Sequence, residues 1–171
     1  MVLLAFVVAV SPENTPEKIA QAEEQITQGM DWARRGDAQR AISSFDEAIK
    51  LAPEMAQAYH QRGKAYSILD QREQAIQDFD DAIRLDPQNA QVFFSRGVSL
   101  DVLGEYQRAK SDYDEAIRLN PGDGVAYYTR AIVHTPLGMD REAQADADRA
   151  DGLGFDPSLL ENAMNAARAE R

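Results

Sequence analysis

The sequence predicts an all-α fold, a solenoid of stacked helix–turn–helix units. The first observation behind this is repetition: Ala56 to Asn89 forms one unit, with near copies directly before and after it. Shifting the chain forward by the length of that unit carries Gly63 onto Gly97, Ala75 onto Ala109, Phe79 onto Tyr113, Ala82 onto Ala116 and Pro87 onto Pro121; the reverse shift finds Gly29, Ala41, Phe45, Ala48 and Pro53. A further shift meets Ala131, Ala143, Ala147 and Ala150, and the pattern weakens near Phe155. A fixed period of about 20–50 residues marks an array of supersecondary units. The second observation is that apolar residues within each unit recur at helical spacing. The third is the placing of breakers: a turn inside the unit (Gly36-Asp37 in the first) and a proline closing it.

Taken in order, the chain opens on MVLLAFVVAV, ten apolar residues without a charge. This run is too short to cross a bilayer as a helix, which takes about 20 residues. It has the composition of a signal-peptide hydrophobic region but lacks the basic segment that should precede one. Two readings stay open. As the remainder of an export signal or membrane anchor, it places the protein outside the cytoplasm, exported or periplasmic; as an apolar strand, it packs on the protein itself. A membrane partner is expected only on the anchor reading.

Ser11 to Pro16 reads as a turn and a helix start, with Thr15 capping and Pro16 at the first helical position, where its missing N–H costs nothing. Ile19, Ala22, Ile26, Met30 and Ala33 then recur at helical spacing as far as Arg35. A second helix is expected over Ala41–Leu51, followed by the pairs Ala56–Leu69 with Glu73–Leu85, Ala90–Leu103 with Tyr106–Leu119, and Val125–Leu137 with Arg141–Leu153. Pro53, Pro87 and Pro121 stop each second helix. The expected organisation is an N-terminal segment 1–15, four repeats within 16–157 (22–55, 56–89, 90–123 and 124–157), and a capping helix over 158–171. Ser158-Leu159-Leu160-Glu161 is a capping-box pattern, and a solenoid needs such an end to cover its last apolar face.

Composition narrows function. The net charge of −11 and pI near 4.6 oppose binding to a phosphate backbone, so no nucleic-acid partner is expected. The acids are unevenly placed: Asp70 to Asp86 holds six against two bases, whereas Ala56 to Leu69 holds only Arg62 and Lys64. With no cysteine there is no disulfide or thiolate chemistry. His60 and His134 stand in different units, far apart along the chain, with no carboxylate grouping of metal-ligand spacing. Gly152 to Phe155 looks like a fragment of a phosphate loop, but it follows a helix rather than a strand. No catalytic residues, metal or cofactor are expected.

Tyr59, Gly63, Tyr66, Ala75, Phe79, Ala82 and Pro87, repeated around them, resemble the tetratricopeptide repeat family. The resemblance spans residues 22–157, with three well-matched units and a degenerate fourth that has Ala147 in the aromatic place and Pro136 late in its first helix. It implies a right-handed superhelical α-solenoid. It also implies that the first helices of successive repeats line a concave groove. Helical spacing then selects Ile26, Met30, Ala33, His60, Gln61, Lys64, Phe94, Val98, Asp101, Tyr128, Thr129 and Ile132 as inward residues. Some family members grip a peptide's terminal carboxylate with Lys, Asn and Arg. Here Ile26, Met30, Gln61, Gln91 and Ser95 occupy those places, so that clamp is absent. The groove is apolar to neutral and suits an apolar peptide or helix. The function expected is a non-enzymatic scaffold for a protein or peptide partner, the alternatives being an exported envelope protein aiding assembly or secretion, or a self-associating homo-oligomer whose first ten residues dock in a groove.

Two physical readings stand beside the resemblance. Gly63 and Ala75 are small where antiparallel helices approach closely, and Phe79 and Tyr59 fill the wider gaps. Arg62, Arg96 and Arg130 recur together with Asp78, Asp112 and Asp146, and both partners are missing in the first unit, where Gln28 and Ser44 stand. That joint absence predicts an Arg–Asp brace between the two helices of a unit. Asp46/Lys50, Asp80/Arg84 and Asp114/Arg118 are expected as exposed i,i+4 pairs.

Overall fold

The computed structural model describes residues 15–156, 162–164 and 166–167. The apolar run 1–10 and most of the expected capping helix lie outside the described residues. Eight helices are described: α1 (Pro16–Arg34), α2 (Ala38–Leu51), α3 (Ala56–Ile68), α4 (Arg72–Leu85), α5 (Ala90–Val102), α6 (Tyr106–Leu119), α7 (Gly124–His134) and α8 (Asp140–Gly152). Consecutive helices pack as pairs, α1 with α2 through α7 with α8, and each pair packs on the next through its second helix. Among the first helices, α3 also touches both α1 and α5 directly. The result is an all-α solenoid with one layer of first helices and one of second helices.

Local chemistry sets the boundaries. The Thr15 side chain accepts from the Lys18 N–H, with Pro16 in the first turn; Asp37, Asn89 and Asp123 cap α2, α5 and α7 in the same way. The residues before Pro53, Pro87 and Pro121 are held out of the helical region, with ψ of 82° at Ala52, 86° at Asp86 and 83° at Asn120. Two helices differ from expectation by more than one residue at an end. Asp37 starts α2 at Ala38 rather than Ala41. The seventh helix stops at His134 rather than Leu137, because Pro136 has no N–H to return to the Ile132 carbonyl.

The turn inside each pair needs one left-handed residue. Gly36, Gly104 and Gly138 supply it at φ of 81°, 75° and 76°, while Asp70 adopts φ 60° in the second pair.

The helices of a pair meet where the sequence is small. A Cβ placed on Gly29, Gly63 or Gly97 would lie 2.5, 2.7 or 2.8 Å from the ring of Phe45, Phe79 or Tyr113. The fourth pair solves the same contact differently: Ala131 replaces the glycine and Ala147 the ring, and Phe155 packs on Tyr128 with centroids 5.2 Å apart. The core is a series of clusters strung along the stack, as a quasi-one-dimensional array requires. Met164, in a short helical stretch, is buried against Ala131, Ala143 and Ala150 at the far end.

Candidate functional site

The first helices carry the residues selected as inward. Met30 and Ala33 on α1, Gln61 on α3, Phe94, Val98 and Asp101 on α5, and Tyr128, Thr129 and Ile132 on α7 are partly exposed, and Lys64 is exposed. Ile26 and His60 are not: they are 3% and 7% exposed, and their side chains are taken up between layers. His60 Nε2 lies 3.1 Å from Ser95 Oγ on the next first helix, and its ring stands edge-on to Phe79. Burial, reinforced by Lys64, lowers its pKa to about 4. Ser67 and Ser99 form a second polar link between α3 and α5, at 3.2 Å.

Sequence spacing missed the most exposed apolar residues of this layer. Ile68 and Val102, each at the last helical position of its first helix, are 65% and 60% exposed, with Leu69 and Leu103 exposed beside them. Their separation of one full repeat was the available signal.

The arginines are engaged from two sides. Arg62 donates from Nε and Nη2 to both oxygens of Asp78, at 2.8 and 2.6 Å, and from Nη1 to Asp46 at 2.6 Å. Arg96 does the same with Asp112 and Asp80, and Arg130 with Asp146 and Asp114. Each arginine thus spans the acid 16 residues ahead, within its own pair, and the acid 16 residues behind, in the preceding pair. The guanidinium of each also lies near an aromatic ring at a repeated position, Tyr59, Phe93 or Tyr127. Hydrogen bonds to Asp78, Asp112 and Asp146 raise the arginine pKa values still further.

This corrects the expected exposed pairs. Asp46, Asp80 and Asp114 do not serve Lys50, Arg84 and Arg118; those cations reach Glu47, Asp81 and Glu115 three residues away. A partly buried guanidinium gains more from a second carboxylate than an exposed i,i+4 pair can offer.

The fourth pair adds His134, whose Nε2 lies 3.3 Å from Asp146 Oδ2. Burial lowers its pKa against the pull of Asp146. Among the described residues no group of three or more His, Asp or Glu is placed to hold a metal ion, and no described helix is long and apolar enough to cross a membrane.

Known proteins share this fold. The tetratricopeptide repeat family is matched over residues 56–89 and again over 90–123. Among solved structures, MamA is similar at 26% identity and a TM-score of 0.74, covering 77% of each chain. The TPR domain of Arabidopsis OM64 is also 26% identical, with a TM-score of 0.66 over 68% of this chain and 96% of that one. The first TPR of Spaghetti (RPAP3), bound to an HSP90 peptide, shares the fold at 21% identity and a TM-score of 0.69, covering 70% and 95% of the two chains. Among curated proteins, no sequence matches this chain.

Proposed function

This chain belongs to the tetratricopeptide repeat family and is built as a protein–protein interaction scaffold, and we propose that it holds a partner peptide or helix in an apolar concave groove lined by its first helices. On this reading residues 22–55, 56–89, 90–123 and 124–157 are its repeats and 158–171 its cap. The observation that carries it is the recurrence of exposed apolar side chains on one layer: Ile68 and Val102 stand out, and Phe94, Tyr128 and Ile132 of the same layer are partly exposed while also packing on the core. Exposed apolar residues that recur on one layer mark an interaction site more often than singly scattered ones do. The reading is non-enzymatic: the arginines and aspartates that could serve catalysis are spent on one another inside the fold.

A pull-down with the folded protein, repeated with Phe94→Ala plus Tyr128→Ala, tests it. Prey should be captured by the parent protein and lost from the variant while the variant keeps its helical circular dichroism. Equal capture by both would contradict a groove centred on α5 and α7.

The uncharged run MVLLAFVVAV favours a second reading, in which that segment docks in the groove of a neighbouring copy. Light scattering should then show concentration-dependent association that disappears when residues 1–10 are deleted.

A further inference from the structure

The turn inside each helix pair lies on one edge of the stack, because the helices of a pair run antiparallel and the pairs repeat in the same sense. The two residues that enter these turns are Arg34-Arg35, Ile68-Leu69, Val102-Leu103 and Pro136-Leu137, each one repeat apart. Ile68, Leu69, Val102 and Leu103 are four of the six large apolar residues exposed among the described residues. None of the four belongs to a core cluster. A shallow recess of about 300 Å³ adjoins them between the third and fourth turns, walled by Tyr106 and Leu137. The edge is thus a short apolar ridge.

Charge changes sign from one end of this ridge to the other. Residues 34–40 hold Arg34, Arg35 and Arg40 against Asp37, whereas residues 136–142 hold Asp140 and Glu142 against Arg141. Arg34 and Arg40 keep exposed ion pairs with Asp31 and Asp37, which contribute little. Arg35 and Glu142 make no ion pair with any described residue. A basic turn, two apolar turns and an acidic turn form an order that complements its own reverse. About a two-fold axis between the second and third turns, Ile68 and Leu69 meet the partner's Val102 and the partner's Leu103, and the first turn meets the fourth at both ends. A parallel pairing would set the arginines of the two first turns against each other, and like charges oppose it.

We infer that a second copy of this chain docks antiparallel on this edge, with the apolar turns at the centre and Arg34 and Arg35 against the partner's Asp140 and the partner's Glu142. This goes beyond the groove reading and needs no contact from residues 1–10. It sets the two layers of first helices side by side, with Ile68 and Val102 at the seam of a surface that continues from one copy into the next.

The chain has no cysteine, so single cysteines map the contact without background. Full-length Ile68→Cys and Val102→Cys proteins are oxidised separately and as a mixture. The mixture should give a disulfide-linked dimer and neither protein alone should. In each separate protein the two cysteines lie one repeat apart, about 8–10 Å along the stack, and a disulfide spans no more than about 7 Å between Cα atoms.

A charge swap tests the ends. Sedimentation of the parent should show a monomer–dimer equilibrium. Arg34→Glu with Arg35→Glu in one protein, and Asp140→Arg with Glu142→Arg in another, should each weaken dimerisation about tenfold or more. An equimolar mixture of the two should recover the parent's affinity, because each variant then meets its complement. All the substituted positions are exposed, and the cysteine arm decides alone where a charge variant loses its helical circular dichroism. A parent that stays monomeric, a disulfide of Ile68→Cys with itself, or a mixture that associates no better than either variant would overturn the inference. Association that vanishes on deletion of residues 1–10 and ignores the charge swap would also overturn it, assigning self-association to that segment. None of these readouts involves prey captured at Phe94 and Tyr128, so the groove reading stands or falls separately.

Discussion

Arg62 and Asp46 belong to different helix pairs, yet the guanidinium Nη1 meets the carboxylate Oδ1 at 2.6 Å while its other nitrogens hold Asp78. One side chain therefore joins the helices of a repeat and the repeat to its predecessor. Because Arg96 and Arg130 do the same, the charges form a ladder across the stack, and its two kinds of rung differ in burial: the Asp112 side chain is 7% exposed and that of Asp80 is 52%. Asp112→Ala leaves Arg96 partly buried without its main partner and should destabilise by about 3 kcal/mol. Asp80→Ala should cost no more than about 1 kcal/mol, because water screens that rung. A double-mutant cycle on Arg96 and Asp112, read by chemical denaturation, should give a coupling of about 1–3 kcal/mol. A coupling near zero would remove the brace from the account.

Gly97 is a packing requirement. A Cβ there would lie 2.8 Å from the Tyr113 ring, and the ring is fully buried. Gly97→Ala should destabilise by about 1–3 kcal/mol, measured by denaturant midpoint, despite the better helix propensity of alanine. The mirror test is Ala131→Gly in the fourth pair, where no ring presses. That change should cost about 1 kcal/mol from propensity alone.

His60 makes stability pH-dependent with a definite sign. Its pKa is about 4 in the fold and 6.5 in the unfolded chain, so between those values the unfolded chain binds the proton. The stabilisation is complete above pH 6.5 and lost as pH falls toward 4, amounting to about 3 kcal/mol at the acid end. His60→Phe, which copies Phe94 of the next repeat, should flatten this part of the acid limb. Parallel limbs for the two proteins would mean that His60 is not the titrating group.

Asp70 takes the left-handed conformation that glycine takes in the other turns, at φ 60°. Its ion pair with Arg72 is exposed and contributes little. Asp70→Gly should stabilise by up to about 1 kcal/mol, as relief of backbone strain outweighs the added freedom of the unfolded chain. Thermal melts of the single variant decide it.

The fold was legible because repetition is a property of the sequence itself. A shift of one repeat aligns Gly63 with Gly97 and Phe79 with Tyr113, and the small-against-ring contact follows from their sizes. The contact of Arg62 with Asp78 could be read from the joint absence of both partners in the first repeat. The contact with Asp46 could not, since a local i,i+4 rule offered Lys50 instead and the true partner lies in the next repeat. Burial of Ile26 and His60 was equally hidden. Helical spacing gives the face of a helix, but the depth of the neighbouring layer decides how much of that face stays open. Ile68 and Val102 lay at a helix end, where a wheel drawn for the helix centre gives no guidance.

The central claim is that the layer of first helices receives the partner. A photo-crosslinking amino acid placed at Phe94, compared with one at exposed Gln77 on the second helix α4, tests it most directly in the full chain. Crosslinking to a polypeptide from position 94, absent from position 77, is the result the account predicts. Crosslinking from position 77 alone, or equally from both, would contradict it.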